Sequence, residues 1–131
     1  MSEDFSRPET RLSKLFWWLP FGRVSEIAPE RLAGVLARPE DAPQLLDVRT
    51  AGEWQRGHIP GAINVPIHQL RRRLPALGLD RSRPVVAICL SAHRSIPAVR
   101  LLRRSGFEGA MQVAGGMLAW RRRGLPEATG G

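Results

Sequence analysis

Short apolar runs alternate along this chain with stretches of helical spacing. Val24 to Ile27 reads as a first strand. Pro29 then opens a helix that turns Leu32, Val35 and Leu36 to one side, with the proline in the first turn, where its missing N–H removes no bond. Gln44 to Val48 is a second strand, bounded by Pro43 and by polar residues. Thr50 to Arg56 predicts a short helix with Thr50 as N-cap, and Glu53, three residues on, completes a capping box. Gly57-His58-Ile59-Pro60-Gly61 is turn chemistry, and Ala62 to Val65 is a third short strand. Ile67, Leu70, Leu74 and Leu77 recur at helical spacing, with Pro75 ending or kinking that helix. Val85 to Cys89 forms a fourth strand. Ser95 to Ser105 is a helix closed by Gly106, carrying Ile96, Val99 and Leu102 on one face and Pro97 in its first turn. Ala110 to Val113 is a fifth strand, and Gly115-Gly116 lead into a last helix bearing Leu118 and Trp120 and stopped by Gly124 and Pro126. Strands alternating with helices in this way predict an α/β fold of three layers, α/β/α, around a five-stranded parallel sheet.

Length and composition narrow the picture. At 131 residues, 43% hydrophobic and 24% charged, the chain has the size and balance of one globular domain. The pattern divides it into a leader at residues 1–23, a domain at 24–126 and a flexible tail at 127–131. The leader holds the most apolar stretch, Leu15-Phe16-Trp17-Trp18-Leu19-Pro20-Phe21. A bilayer span needs about 20 apolar residues, so this is no transmembrane segment, and it lacks the small-residue cleavage site of a signal peptide. Its aromatics are expected to fold back on the domain's edge, with an interfacial or partner-docking role as the alternative.

The formal net charge is +8, carried almost wholly by arginine, since Lys14 is the only lysine. Arg71-Arg72-Arg73, Arg103-Arg104 and Arg121-Arg122-Arg123 each fall late in a predicted helix, where cations suit the helix C-terminus and face solvent. No aromatic interleaving or nucleic-acid motif accompanies them, so no nucleic-acid partner is expected. The positive field still favours small anions. A single cysteine excludes an intramolecular disulfide and points to the cytoplasm. His58, His68 and His93 are scattered, which predicts no metal site, and nothing in the sequence asks for a cofactor.

That one cysteine, Cys89, is the candidate centre of chemistry. It stands at the end of the fourth apolar run, before the polar loop Leu90-Ser91-Ala92-His93-Arg94 and the helix that starts near Ser95. A thiol there faces a helix N-terminus, where unpaired N–H groups and the helix dipole favour an anion, and Arg94 adds a fixed positive charge. The expectation is an acidified, nucleophilic thiol. A lone cysteine can also be a small buried hydrophobe; the Arg-bearing loop argues against that reading here. Asp47, Arg49 and Glu53 follow the second strand's end, where parallel sheets place functional loops. Asp47 and Glu53 read as a structural network tied to arginine, and Arg49 as a candidate guide for an anionic substrate. His58 reads as a turn residue donating to backbone.

These pieces, taken in order, resemble the single-domain rhodanese-like sulfurtransferases. The resemblance rests on Leu46-Asp47-Val48-Arg49, Glu53-Trp54, Gly57 through Pro66, Val85 to Cys89, the loop through Arg94-Ser95, Gly115-Gly116, and Trp120 with Gly124-Leu125-Pro126. It covers residues 24 to 126. It implies sulfur transfer from a small anionic donor such as thiosulfate to a thiophilic acceptor, cyanide or a thiol (a protein thiol included), through a persulfide on Cys89. Arg94 would be catalytic beside it, and Leu90, Ser91, Ala92, His93 and Ser95 would cradle the substrate, with Arg49 nearby. The related phosphatases and arsenate reductases carry one residue more between cysteine and arginine, so the shorter loop here implies a cradle sized for sulfur. A ring of backbone N–H groups around Cys89 Sγ would form the anion nest. Many loops of the family have glycine where this chain has Ala92. If that position needs a positive φ, the alanine is strained by roughly 1 kcal/mol. A different class of reading, a non-catalytic module that docks a partner, draws on Ala92 and the aromatic leader; the retained Cys89 and Arg94 argue against it. The oligomeric state is not legible in the sequence.

Overall fold

Each apolar run becomes a strand of one sheet in the computed structural model, which describes residues 24–130. In chain order the elements are β1 (Glu26–Ile27), α1 (Pro29–Leu36), β2 (Gln44–Asp47), α2 (Ala51–Arg56), β3 (Ile63–Asn64), α3 (Ile67–Arg73), β4 (Val85–Ile88), α4 (Ser95–Arg104), β5 (Ala110–Val113) and α5 (Gly116–Arg122). All strand pairings are parallel, in the order β1-β5-β4-β2-β3. This is the five-stranded α/β architecture expected from the alternation. The aromatic segment at 15–21, with the rest of the leader, lies outside the described residues. Among the described residues no helix is long and apolar enough to cross a membrane.

The period-two pattern of the strands sorts their side chains into two cores, one on each face of the sheet. Leu46, Val48, Val85, Ala87 and Cys89 pack on one side with Leu70 and Leu74 and with Ala98, Val99 and Leu102 of α4. Leu45, Val86, Ile88 and Val113 pack on the other side with Leu32 of α1 and with Met117 and Trp120 of α5. All four residues of β4 are buried, as a central strand covered on both faces requires.

Several boundaries differ from the pattern's expectation. β1 and β3 shrink to two residues each because they are edge strands, paired on one side only. α3 stops at Arg73 and passes into a 3₁₀ turn, Leu74–Ala76, since Pro75 has no N–H to continue an α-helix. On α5, Leu118 faces solvent, and Met117 joins Trp120 on the buried side. The capping box forms as expected: Glu53 N–H donates to Thr50 Oγ1, and Glu53 Oε1 accepts from Thr50 N–H. Gly106, at φ 98°, ends α4 in a Schellman motif, with Phe107 N–H on Leu102 O and Gly106 N–H on Arg103 O. The arginine runs occupy the last turns of α3, α4 and α5, where they offset the helix dipoles. Residues 127–130, expected as a tail, are tied to the domain. Ala128 bridges His58 through two backbone bonds, and Gly130 N–H donates to Gln55 O.

The sheet order places a switch point between β2 and β4. The connection after β2 leads to β3 on one side, and the connection after β4 leads to β5 on the other. Crevices at the carboxyl ends of such diverging strands are where open α/β sheets bind ligands. A buried ion pair closes the β2 end of this crevice. Asp47 Oδ1 accepts from the N–H and Nε of Arg49, each at 3.0 Å, and Oδ2 accepts from Nη2 at 2.8 Å. Nη2 also donates to Gly57 O at 2.7 Å, so one guanidinium joins the strand's exit to the turn after α2. Both side chains are essentially inaccessible to solvent. Asp47→Ala should therefore destabilise the fold by about 3–5 kcal/mol in urea unfolding, because it strands a buried guanidinium. The double change Asp47→Ala with Arg49→Met should recover part of that loss.

Candidate active site

The chain leaves β4 at Cys89 and is held there by backbone from α5. Met117 N–H donates to Cys89 O at 2.8 Å and Leu118 N–H to Leu90 O at 3.0 Å. A Cβ on Gly116 would lie 2.5 Å from both of those carbonyl oxygens, so only glycine permits the approach, and its φ of 62° is left-handed as well. The function of Gly116 was not legible in the sequence beyond a helix start; the paired glycines were the signal.

From this anchor the loop folds over the sulfur. Cys89 is buried, and the Ala92 N–H donates to its Sγ at 2.9 Å. Among the described residues this is the backbone donor that the structure gives to Sγ. Ala92 takes the turn with φ 83°, in the left-handed region that favours glycine. The position therefore has the conformation that glycine serves in many related loops, occupied here by a residue with a Cβ. Ser95, the first residue of α4, places its Oγ 3.4 Å from Sγ. Ser91 Oγ and His93 Nδ1 share a 3.0 Å hydrogen bond on the exposed side of the loop, and Leu90 turns inward against the α5 core.

Arg94 stands at the N-cap of α4, but its guanidinium points to a carboxylate. Nη1 and Nη2 donate to Glu53 Oε1 and Oε2 at 2.7 and 3.0 Å, a bidentate pair joining α4 to α2. Arg94 is thus not an isolated charge beside the sulfur. Its pKa is raised first by the Glu53 hydrogen bonds and further by the charges of Glu53 and Asp47, against the opposing effect of burial. Glu53 is held far below the ordinary carboxylate value, down to about 2, chiefly by Arg94 and then by the Thr50 cap. Arg49 is buried against Asp47 yet lines one wall of a cavity of about 360 Å³, together with Glu53, Arg56, Leu90 and Arg121. A larger open groove of about 570 Å³, lined by residues such as Leu36, Pro43, Leu45 and Pro60, includes no residue of the Cys89 loop. His58 stacks on Trp54 at 4.0 Å and donates from Nδ1 to Trp54 O, a structural turn residue.

The structure also supplies partners that the sequence did not reveal. Ser95 Oγ donates to Gln112 Oε1 at 2.6 Å, and Gln112 Nε2 donates to Glu26 Oε2 at 2.8 Å. The polar residue inside the apolar run of β5 was the available signal.

Comparison with known proteins agrees with the fold. The family model described as Rhodanese-like domain matches residues 30–123. A protein named Sulfurtransferase from Allochromatium vinosum is 39% identical over 103 residues, covering 79% of this chain and 94% of its own length. A rhodanese-related protein from Thermoplasma volcanium has a solved structure that superposes with a TM-score of 0.70 at 31% identity, covering 79% of this chain and 97% of that one. The Alr3790 protein from Anabaena sp. superposes with a TM-score of 0.73 at 33% identity, covering 79% and 92% of the two chains.

Two outcomes are expected from the loop and its ion pair. Because the Glu53 carboxyl is depressed in the fold, the stability it contributes is full above its unfolded value near 4.5 and is lost as pH falls through about 2. Glu53→Gln should remove that acid-side slope from the unfolding free energy. Above pH 5 it should cost about 1–2 kcal/mol, less than the full shift implies because the pair is partly solvated. Ala92→Gly should leave stability unchanged or raise it by up to about 1 kcal/mol, whereas Ala92→Val should lower both stability and melting temperature.

Proposed function

Since this chain belongs to the rhodanese-like family, with relatives named as sulfurtransferases, we propose that it moves sulfane sulfur from a small anionic donor to a thiophilic acceptor through a persulfide on Cys89. The observation that carries this reading is the position of Sγ. It lies at the carboxyl end of a central strand, beneath the Ala92 N–H and beside the first residue of α4. The Ala92 N–H and the start of α4 favour negative charge on sulfur.

The chemistry is a double displacement. Cys89 thiolate attacks the outer sulfur of thiosulfate, the S–S bond of the donor breaks, and sulfite leaves with the bonding pair. Cys89 then carries a persulfide whose terminal sulfur holds the negative charge. A cyanide ion or an acceptor thiolate attacks that terminal sulfur, and Cys89 departs as thiolate. Leu90, Ser91, Ala92, His93 and Ser95 shape the space around the two sulfurs. Arg94 fixes the loop against α2 through Glu53 and keeps a positive group within electrostatic reach of Cys89. Arg49, Arg56 and Arg121 give the adjoining cavity a basic wall suited to an anionic donor.

Intact mass after incubation with thiosulfate tests the reading. The wild type should gain one sulfur atom and lose it on addition of cyanide, with thiocyanate appearing. Cys89→Ser should gain none and form no thiocyanate while keeping its fold, since a serine hydroxyl neither ionises near neutral pH nor holds a sulfane sulfur. Thiocyanate formation at the wild-type rate by that variant would overturn the mechanism.

A further inference from the structure

A chain of hydrogen bonds runs from the surface of β1 to the sulfur: Glu26, Gln112, Ser95, Cys89. Its direction follows from the chemistry of its outer end. An ionised carboxylate only accepts, so the Gln112 atom 2.8 Å from Glu26 Oε2 is the amide nitrogen. That places Gln112 Oε1 toward Ser95, 2.6 Å away, where it only accepts. The single hydroxyl proton of Ser95 must then go to Gln112. At the 3.4 Å contact with Cys89, the Ser95 oxygen has only lone pairs to offer, and the bond exists when the thiol donates S–H. Ser95 and Gln112 are buried, so neither has water to replace a lost partner.

We propose that Glu26, acting through Gln112 and Ser95, fixes the direction in which the hydroxyl beside Cys89 points, and is a positioning residue for the proton of the nucleophile. With Glu26 in place, the relay favours the protonated thiol. Forming the thiolate turns the Ser95 hydroxyl toward Sγ and leaves the buried Gln112 oxygen without its donor. The relay thus sets the pH at which the nucleophile appears. A donor-only residue at position 26 reverses every step. Gln112 would flip to meet it, its amide nitrogen would face Ser95, and the hydroxyl proton would be free for the thiolate. The inference rests on Cys89 being the nucleophile of the proposed sulfur transfer. The other groups about Cys89 are Arg94 with its partner Glu53, the Asp47–Arg49 pair and His93 of the loop. None of them changes in the variants below.

The test is the rate of Cys89 alkylation by iodoacetamide against pH, with thermal unfolding as the check on folding. Glu26 is exposed on an edge strand, so Glu26→Gln and Glu26→Lys retain the core. Glu26→Lys should move the midpoint of the profile down, with roughly three- to tenfold faster alkylation on the acid limb, and Glu26→Gln should move it less. In a Ser95→Ala background the two changes at position 26 should have no effect. An unchanged profile for Glu26→Lys overturns the proposal. So does a downward shift that persists without Ser95, since that effect would be the charge of residue 26 acting through space. Thiocyanate formation is measured on the same samples. Its absence in the wild type would remove the sulfur-transfer reading, while the alkylation profiles would still decide the relay.

Discussion

The amide groups of Met117 and Leu118 bind the carbonyls of Cys89 and Leu90, and the site is built outward from that contact. A central parallel strand that runs on past its neighbours at the carboxyl end of the sheet leaves backbone acceptors with no strand to satisfy them. Here the first turn of α5, which has donors to spare, supplies the partners. The contact requires the α5 backbone to touch the backbone of the loop, and that is possible because position 116 carries no side chain. With the strand's exit fixed, the loop has too few residues to wander before α4 begins. The Ala92 amide is brought over Sγ at the cost of a left-handed alanine. Strain of this kind persists only where surrounding bonds over-determine the backbone.

Charge is arranged around the sulfur in pairs. Arg49 and Arg94 both bind carboxylates bidentately, Asp47 at the end of β2 and Glu53 in α2. The Arg94–Glu53 pair joins the two diverging connections of the switch point, and the Asp47–Arg49 pair braces the one after β2. They also reduce the net positive charge that Sγ experiences, so the fixed dipoles of the backbone and the Ser95 hydroxyl gain weight there. Among the described residues, further arginines stand at the ends of α3 and α5 and beside the cavity next to Leu90, where their field can attract an anion.

Polar groups in the interior carry more information than their number suggests. Gln112 interrupts the apolar strand β5 and costs the core a hydrophobic side chain. In return it joins the edge of the sheet to the start of α4. A buried amide has both a donor end and an acceptor end, so it transmits orientation from one partner to the next. The nature of the surface group at position 26 therefore bears on a hydroxyl in the core.

The sequence by itself determined the layer architecture, the strands and helices, the capping box of Thr50 and Glu53, the glycine stop at Gly106 and the place of Cys89 at the end of a buried strand. All of these follow from local spacing, from turn chemistry or from residues adjacent in the chain. The left-handed demand at Ala92 was visible as a question through the resemblance, because many related loops have glycine there; the φ of 83° answers it. Only the tertiary structure decided that Arg94 belongs to Glu53, that Gly116 makes room for the Cys89 carbonyl, and that Glu26 reaches the sulfur through Gln112 and Ser95. Those contacts join residues tens of positions apart. Their formation depends on the order β1-β5-β4-β2-β3, which brings β5 beside β4 and β1 beside β5. Hydrophobic periodicity marks which face of a strand is buried, but it does not name the strand's neighbours, and partners across the sheet are chosen by those neighbours.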